Sequence, residues 1–333
     1  MRILVTGGAG YVGSVSVERL VEAGHEVTIL DDLSTGHAAS AAPSAQFVRG
    51  SFGDREAVAA LLRDGGIDAV LHCAAKSLVG ESMREPATYY RANVVGGVAL
   101  LDALRDAGVG RIVFSSTAAV YGAPEATPIP EDAPLRPINS YGETKRTFEG
   151  AMAGYGSAYG LRSVSLRYFN VAGASEVNGE RHDPETHLVP NVLGALEGGP
   201  PLTLFGDDYP TLDGTPIRDY IHVLDLADAH LEALEATAPG DPRSEAPLIC
   251  NLGSGGGFSV REVLTAAERV VGRPVPHTVG PRRAGDPPVL VAAIDRAAAV
   301  LGWRPRRSSL DEMIGSAWEW RRTHPRGPAS GGA

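Results

Sequence analysis

The sequence predicts an α/β protein in which a doubly wound parallel sheet is followed by a smaller C-terminal α/β lobe. First, short β-branched and aliphatic runs alternate with segments of helical spacing, as expected when crossover helices join parallel strands on both faces of a sheet. Second, a glycine-rich turn separates the first such run, residues 2–6, from a helical segment at 12–23. Third, the alternation loosens after Asn170, where residues 174–186 are polar and predict a loop.

The individual elements follow from the same patterns along the chain. Strands are predicted at 2–6, 25–30, 69–73, 111–115, 162–167 and 203–205. Helices are predicted at 12–23, 56–63, 86–107, 141–159, 188–196, 225–237, 260–271 and 310–322. The stretch 207–215, rich in Asp, Gly and Pro, is expected to form an ordered surface loop.

Length, charge and cysteine content narrow the class of protein. The chain has 333 residues and a formal net charge of -10, so no nucleic acid and no anionic membrane is expected as a partner, because both need clustered Lys and Arg. Cys73 and Cys250 lack CxxC spacing, so we expect neither a disulfide nor a metal site, and we expect a cytoplasmic location. No signal peptide and no membrane helix are expected either.

Three glycines, Gly7, Gly10 and Gly13, lie in the turn after the first strand. A chain that turns sharply, brings its backbone against a pyrophosphate and starts a helix there needs such positions free of side chains. The pattern predicts a Rossmann-type fold with a bound dinucleotide; the alternative is glycines that serve only the turn. Asp31, which ends the second strand, would bind the adenosine ribose and so favours NAD, although Asp31 and Asp32 alternatively form a solvated turn pair.

Tyr141 and Lys145 form a Tyr-x-x-x-Lys pattern at the start of a predicted helix. This spacing puts both side chains on one helix face, where the lysine charge would lower the pKa of the phenol and make it an acid/base group. Thr117 follows Ser115 and the fourth predicted strand, at the sheet edge where such folds bind ligands. The alternatives are a surface tyrosine and a threonine that caps the strand.

Taken together, these motifs resemble the extended short-chain dehydrogenase/reductase superfamily and, within it, the nucleotide-sugar 4-epimerases of galactose metabolism. The resemblance covers nearly the whole chain. It includes the segments GGAGYVGS (7–14), LDDLSTGH (30–37), LVGES (78–82), FSSTAAVYG (114–122), YGETK (141–145), LRYFNVAGA (166–174), LFGDDYPTLDGTPIRDYIHVLDLADAH (204–230), NLGSG (251–255), PRRAGD (281–286) and LGW (301–303).

The resemblance implies an activity and a mechanism. The activity is NAD-dependent 4-epimerisation of a UDP-sugar, with UDP-glucose and UDP-galactose interconverted through a transient 4-keto sugar. Tyr141 would take the proton of the sugar 4-hydroxyl, Lys145 would hold the nicotinamide ribose and tune Tyr141, and Thr117 would bind the reacting oxygen. NAD would stay bound between turnovers. A homodimer is also implied, with the helices around 86–107 and 141–159 pairing as a four-helix bundle.

The same resemblance, added to the residue arguments above, gives two sets of candidate site residues. The cofactor set is Gly7, Gly10, Tyr11, Val12, Gly13, Asp31, Asp32, Leu33, Ser34, Phe52, Cys73, Ala74, Ala75, Asn93, Ser115, Tyr141, Lys145 and Tyr168. The substrate set is Thr117, Tyr141, Asn170, His187, Leu188, Thr203, Phe205, Arg218, Arg283, Asp286 and Leu290. Arg218 and Arg283 are also favoured by charge, because a diphosphate needs local cations in an acidic protein. The alternative for Arg218 is an ion pair with Asp219 or another neighbour.

The chain departs from the best-known bacterial members of that group at four places. Ser51 replaces an aspartate that meets the adenine, so adenine recognition would either be weaker or use Asp54. Ser77, beside Lys76, replaces a lysine that contacts the cofactor. The other two departures are at the substrate, where His187 replaces an asparagine and Leu290 replaces a tyrosine that limits the sugar.

These residues leave open which nucleotide sugar is preferred, since Leu290 is intermediate in size. The substrate is UDP-glucose or another sugar, such as a UDP-N-acetylhexosamine, a UDP-uronic acid or a sugar of specialised metabolism. Ala118 and Ala119 argue against a 4,6-dehydratase, which carries an acidic pair there. A non-catalytic NAD sensor would be expected to lack Tyr141 or Lys145.

Lone histidines and the strand cysteine are assigned no chemical role. His72, His222 and His230 lack ligand spacing and are interpreted as hydrogen-bonded structural residues. Cys73 is interpreted as part of the core or of the cofactor wall.

The chain is therefore predicted to divide into two domains and a tail. Residues 1–170 would form the NAD-binding Rossmann domain, and a later segment around 215–250 would return to it. Residues 171–325 would form most of the substrate-binding lobe, and residues 326–333 a disordered tail.

Overall fold

The structure is a computed structural model that describes residues 1–283 and 285–324. The predicted disordered tail, 326–333, lies outside the described residues. The strands, in chain order, are β1 (Arg2–Thr6), β2 (Glu26–Asp31), β3 (Gln46–Arg49), β4 (Ala69–His72), β5 (Arg111–Ser115), β6 (Arg162–Tyr168), β7 (Asn170–Ala172), β8 (Leu202–Phe205), β9 (Ile217–Arg218), β10 (Tyr220–His222), β11 (Leu248–Leu252), β12 (Phe258–Ser259), β13 (His277–Gly280) and β14 (Val289–Leu290).

Helices alternate with these strands. They are α1 (Tyr11–Glu22), α2 (Arg55–Asp64), α3 (Val79–Arg84), α4 (Pro86–Tyr89), α5 (Gly96–Ala107), α6 (Ser140–Tyr159), α7 (Leu188–Leu196), α8 (Val223–Ala236), α9 (Val260–Val271), α10 (Asp295–Leu301) and α11 (Leu310–Thr323). None of the helices within the described ranges is long and apolar enough to cross a membrane.

The main sheet has the strand order β11-β6-β5-β4-β1-β2-β3. Every pairing in it is parallel, which confirms the predicted doubly wound Rossmann-type sheet. In such a sheet the strand order reverses between β1 and β4, and ligands bind beyond the carboxyl ends of the strands there. Gly7 and Cys73 follow these two strands.

Two strands of this sheet were missing from the sequence prediction. β3 is a four-residue edge strand with no fully buried side chain, so it lacks the apolar run that marks a strand. β11 pairs with β6 at the other edge, although its first two residues are only half-buried. The strand predicted to be the fourth is therefore β5.

Alternating side chains of the central strands pack against helices on both faces of the sheet. Ile3 and Val5 lie in a cluster with side chains of α1, α8 and α10. Leu4, between them, lies in the opposite cluster with side chains of α2, α5 and α6. The sheet is thus buried on both faces, and its carboxyl edge is left for ligands.

The helix predicted at 86–107 contains a π-helical turn, Tyr90–Val95, between α4 and α5. Asn93 lies in that turn and is buried. Its side-chain oxygen accepts from the Lys76 amide at 2.9 Å, and its amide nitrogen donates to Thr144 at 3.0 Å. The turn therefore ties the chain after β4 to α6.

The chain after Asn170 builds a separate hydrophobic cluster, away from the two that cover the main sheet, from α7, α9 and α11 with β8 and β10. Small sheets border it, with the orders β12-β9-β14, β13-β8 and β10-β7. β9 is parallel to β14, and Arg218 lies opposite Leu290 in that pairing. The division of the chain into the two predicted domains stays a prediction.

Candidate active site

The glycine loop between β1 and α1 is shaped by contacts that differ from one glycine to the next. Gly7 has φ +74°, and a Cβ there would lie 2.6 Å from the amide nitrogen of Ala74. A Cβ on Gly13 would lie 2.0 Å from the carbonyl oxygen of Gly7. At Gly10 the nearest atom would be 3.4 Å away, and α1 begins after it without a side-chain cap.

These contacts test whether the loop fits a dinucleotide. Gly7 and Gly13 are required by the protein's own packing, whereas Gly10 leaves room over the start of α1. Uncapped N–H groups and the positive end of a helix dipole suit a pyrophosphate. The residues present therefore fit the predicted group.

Asp31 is buried at the end of β2. One carboxylate oxygen accepts from the amide of Ala9 at 3.0 Å, and the other accepts from the amide of Leu33 at 2.8 Å. Asp32 accepts from the amide of Ser34 at 2.8 Å. Asp31 thus fixes the glycine loop to the end of β2, in addition to the ribose contact that the sequence predicts.

Across the sheet edge from the glycine loop, further candidate cofactor residues lie after β4 and at the end of β5. The Ser115 hydroxyl donates to the Cys73 sulfur at 3.2 Å and contacts His230 Nε2 at 3.0 Å. Burial raises the pKa of the Cys73 thiol to about 11, so Cys73 is not primed as a nucleophile. Phe52 packs edge-on against His72 at 4.9 Å between ring centroids.

Ser51 and Asp54, the two residues that the sequence analysis related to the adenine, both make local hydrogen bonds. The Ser51 hydroxyl accepts from the amide of Gly53 at 3.2 Å. Asp54 caps α2, where it accepts from the amide of Ala57 at 3.1 Å. One carboxylate oxygen of Asp54, the alternative adenine contact, is therefore already engaged in a hydrogen bond.

Thr117, Tyr141 and Lys145 meet beyond the end of β5. Lys145 Nζ donates to the carbonyl oxygen of Ser115 at 2.7 Å and lies 5.8 Å from the centroid of the Tyr141 ring. Thr117 is hydrogen-bonded to the Tyr141 phenol and also caps the following turn by accepting from the amide of Ala119. All three side chains are buried.

The electrostatics of this group correct one prediction. Burial raises the pKa of Tyr141 to about 12, and only the Thr117 hydrogen bond opposes that rise. Burial also lowers the pKa of Lys145 to about 8, against the attraction of Cys73 and Glu149. The expected lowering of the phenol pKa by Lys145 is therefore not seen in the chain alone, since desolvation is the larger effect.

The substrate-side residues form pairs with one another. Arg218 makes an ion pair, and its partner is Asp286 and not the adjacent Asp219. The side-chain amide of Asn170 donates to the carbonyl oxygen of Asp219 at 2.9 Å. The Arg283 guanidinium lies over the Phe205 ring, 4.1 Å from its centroid.

The other substrate candidates are placed by the smaller sheets and by α7. Thr203 is exposed on β8, opposite Thr278 of β13. His187 and Leu188 are the N-cap and the first residue of α7. The assignment of these side chains to a substrate stays a prediction.

The three lone histidines have hydrogen-bonded, buried positions. His72 Nδ1 contacts the Thr6 hydroxyl at 2.7 Å, His222 Nε2 contacts Ser316 at 2.9 Å, and His230 Nδ1 contacts Ser16 at 3.1 Å. These contacts agree with the structural role that the sequence predicted.

A buried ion pair beneath the site was missed at the sequence level. Glu149 and Arg167 are 2.6 Å apart and almost fully buried. The Ser116 hydroxyl donates to Glu149 at 2.5 Å, and Arg167 donates to the Tyr121 hydroxyl at 3.0 Å. The sequence did contain one indication of this pair. Glu149 follows Lys145 by four residues, which puts both side chains on the same buried face of α6.

Comparison with known proteins assigns the chain to a family. Residues 3–253 match the NAD dependent epimerase/dehydratase family. A UDP-glucose 4-epimerase of Streptomyces lividans is 51% identical over 328 residues, which is 98% of each chain.

Solved structures give the same result. A UDP-glucose 4-epimerase from Brucella ovis in complex with NAD superposes with a TM-score of 0.92 at 44% identity, over 96% of this chain and 97% of that one. A second, from Stenotrophomonas maltophila with bound NAD and formylated UDP-arabinopyranose, has a TM-score of 0.92 at 41% identity, over 97% and 98%.

The fold and the site define a Rossmann-type, dinucleotide-dependent enzyme of the extended short-chain dehydrogenase/reductase type. With the match over most of its length, the chain belongs to the NAD dependent epimerase/dehydratase family.

Proposed function

We propose that the protein catalyses the NAD-dependent 4-epimerisation of a UDP-sugar and interconverts UDP-glucose and UDP-galactose. The observation that carries the proposal is the meeting of Thr117, Tyr141 and Lys145 beyond the end of β5. The names of its relatives support the same activity. Ala118 and Ala119, which follow Thr117, offer no proton-exchanging group for a dehydratase.

The reaction begins with removal of the proton from the sugar 4-hydroxyl by the Tyr141 phenolate. NAD, when bound, supplies the acceptor of the C4 hydride and afterwards its donor. Tyr141 then returns its proton to the carbonyl oxygen of the 4-keto sugar as the hydride is restored to the other face. Thr117 orients the reacting oxygen, and Lys145, which donates to the carbonyl oxygen of Ser115, holds the nicotinamide ribose.

Substrate binding is proposed to rearrange the pairs at the smaller sheets. The diphosphate would compete with Asp286 for the guanidinium of Arg218, since a fork of N–H donors fits phosphate oxygens. Asp286 would then accept from the uridine ribose. Asn170 and Arg283 would complete the diphosphate contacts, and Leu188, Thr203 and Phe205 would line the uridine.

A 4-epimerase of another nucleotide sugar is the second candidate. Leu290 is half-buried on β14 opposite Arg218, and a leucine there leaves more room than a tyrosine. The additional room beside Leu290 favours acetamido sugars and uronic acids as further substrates.

A cytoplasmic homodimer is part of the same proposal. Three large apolar side chains are exposed on the segments expected to pair. They are Tyr90, Val95 and Tyr159, which are 39%, 65% and 58% exposed. Sedimentation of a monomer alone would contradict the homodimer.

The test is turnover by the purified protein without added NAD. It would be incubated separately with UDP-galactose, UDP-N-acetylgalactosamine and UDP-glucuronate, and the products would be resolved. We expect UDP-glucose from the first, and Tyr141→Phe should lower the rate by roughly 10²–10⁴-fold while NAD is retained. Tyr159→Phe, on the exposed end of the same helix, is the matched control. A fully active Tyr141→Phe would overturn the mechanism.

A further inference from the structure

Four ligand-type residues lie close together in the segment that joins β7 to α7. Their order is Glu180-x-His182-x-x-Glu185-x-His187. Glu180 Oε1 lies 2.6 Å from His182 Nδ1, and Glu180 Oε2 lies 3.8 Å from His187 Nδ1. Glu185 Oε1 lies 2.8 Å from the same nitrogen of His187. One glutamate therefore faces both imidazoles.

The carboxylates of this cluster are removed from water. The side chains of Glu180 and Glu185 are only 10% and 7% exposed, while those of His182 and His187 are 24% and 43% exposed. Arg181, the cation nearest in sequence, is directed elsewhere and lies over the Trp320 ring, 4.9 Å from its centroid. Two buried carboxylates need a positive group close to them, which the two imidazoles supply when protonated and a metal ion would supply when bound.

The contact between Glu180 and His182 is short but poorly directed. His182 Nδ1 is buried and, among the described residues, has no partner in hydrogen-bond geometry, although the Glu180 oxygen is 2.6 Å away. Two ligands of one zinc ion lie about 3.3 Å apart, so these two atoms would separate by about 0.7 Å to bind the same ion.

We propose that Glu180, His182 and His187 bind a divalent transition-metal ion of the Zn²⁺ type, with Glu185 orienting His187. Candidate ligand atoms of the three residues all lie within 4.8 Å of one another. A tetrahedral zinc ion with bonds of about 2.0–2.1 Å needs neighbouring ligands about 3.3 Å apart. Two imidazoles and a carboxylate suit Zn²⁺ better than Mg²⁺ or Ca²⁺, which prefer oxygen ligands.

The role that the position indicates is structural. The Tyr11 hydroxyl donates to the carbonyl oxygen of Gly173, 2.6 Å away, at the start of this segment. Burial, and then the charges of Glu180 and Glu185, raise the pKa of Tyr11, so the cluster acts electrostatically on the cofactor loop. A bound cation would neutralise these carboxylates beside a site for two anionic ligands, and it would hold the segment in place.

The experiment uses the full chain, free of any affinity tag and carrying its bound NAD. The protein is treated with a chelator, exposed to Zn²⁺ and passed through gel filtration, and the retained metal is measured by mass spectrometry. We expect one equivalent per chain. With Co²⁺ in place of Zn²⁺, a visible absorption band of a tetrahedral nitrogen–oxygen site should appear.

Three variants and one control test the ligand set. Glu180→Gln and His182→Asn should each abolish retention of the metal, and Glu185→Gln should weaken Zn²⁺ binding roughly 10–100-fold, as for other residues that orient a metal-bound histidine. His277→Asn, which alters an exposed histidine on β13, should retain the full equivalent.

Folding of each variant is checked by near-ultraviolet circular dichroism and by its NAD content, neither of which depends on turnover. The proposal is overturned if the parent protein retains no Zn²⁺ and shows no Co²⁺ band, a result that stands even where a variant fails to fold. It is equally overturned if folded Glu180→Gln and His182→Asn bind the metal as well as the parent does.

Discussion

The glycines of the cofactor loop show how residues of one type differ in what they contribute. Sequence spacing predicted the positions of all three, because their pattern after a strand is recognisable. It could not tell which of them the protein itself requires, since that depends on the atoms opposite each Cα. A Cβ on Gly13 would lie 2.0 Å from the Gly7 carbonyl oxygen, whereas a Cβ on Gly10 would lie 3.4 Å from the same oxygen.

This difference leads to a paired prediction. Gly10→Ala should fold normally but lose NAD, because the added methyl group occupies space over the start of α1 without striking the protein. Gly13→Ala should lower the free energy of unfolding of the chain itself, because its Cβ would lie 2.0 Å from the Gly7 oxygen. Thermal unfolding and NAD absorbance of the purified variants distinguish the two. Equal loss of stability in both variants would contradict the assignment.

Tyr141 and Lys145 set a second limit on prediction from residues alone. Their spacing correctly put them together on one helix face. Their pKa values could not be predicted from the sequence, because desolvation depends on the side chains that pack over α6, including Phe114 of β5. Lys145 Nζ also lies 4.5 Å from the centroid of the Phe114 ring, a contact that comes from a different element.

At the scale of elements, α6 carries both the candidate chemistry and a buried ion pair. Glu149 pairs with Arg167 of β6, and both side chains are at most 6% exposed. The strand that ends at Ser115 is thereby fixed between α6 and β6, since Ser116 donates to the same carboxylate. We infer that this pair keeps the end of β5 in position.

Removing one partner of the pair should be costly. Glu149→Gln is expected to lower the free energy of unfolding by about 3–5 kcal/mol, because a buried arginine loses its countercharge. The double variant Glu149→Leu/Arg167→Met should lose less than the sum of its two single changes. Urea denaturation provides the measurement.

The matched control for this prediction lies on the same helix. Glu143 pairs with Arg146 at 2.7 Å on an exposed face, and Glu143→Gln should cost at most about 1 kcal/mol. Similar losses for Glu143→Gln and Glu149→Gln would refute the buried pair as a stabilising element.

The elements that sequence reasoning missed share a physical cause. Alternation and apolar runs identify strands that lie between other strands, as β1 and β4 do. β3 lies at the edge of the main sheet and has no buried side chain. The two-residue strands β9, β12 and β14 are too short to show any periodicity. Their pairing is fixed by contacts between distant parts of the chain, which a local pattern does not contain.

At the scale of the whole molecule, three neutral histidines are built into the folded state. Burial lowers the pKa of His72 to about 3, of His222 to about 4 and of His230 to about 3. They anchor β4, α8 and α11 through the hydrogen bonds described above. The doubly wound, parallel class of the main sheet was predicted from the sequence, but this dependence on uncharged imidazoles follows only from the packed structure.

The protein should therefore lose stability in mild acid. In the unfolded chain these histidines take up protons near pH 6.5, while in the folded chain they remain neutral down to about pH 3–4. The unfolded state binds more protons throughout this window, so the free energy of unfolding falls as the pH falls. Each histidine contributes at most about 1.4 kcal/mol per pH unit.

Urea denaturation at several pH values between 7 and 5 measures this dependence. His230→Asn should reduce the slope, whatever it does to stability at pH 7. Replacing the exposed His277 by Asn should leave the slope unchanged. A slope for His230→Asn equal to that of the parent would rule out this source of acid sensitivity.

The pairing of β9 with β14 has a consequence for protein engineering. Arg218 and Leu290 lie opposite each other on these two short strands, whereas Thr117 follows β5 and both Tyr141 and Lys145 belong to α6. A library confined to residue 290 and its neighbours on β14 would leave every reacting side chain untouched. Under the proposed role of Leu290, such a library would select sugar preference as a trait separate from catalytic power.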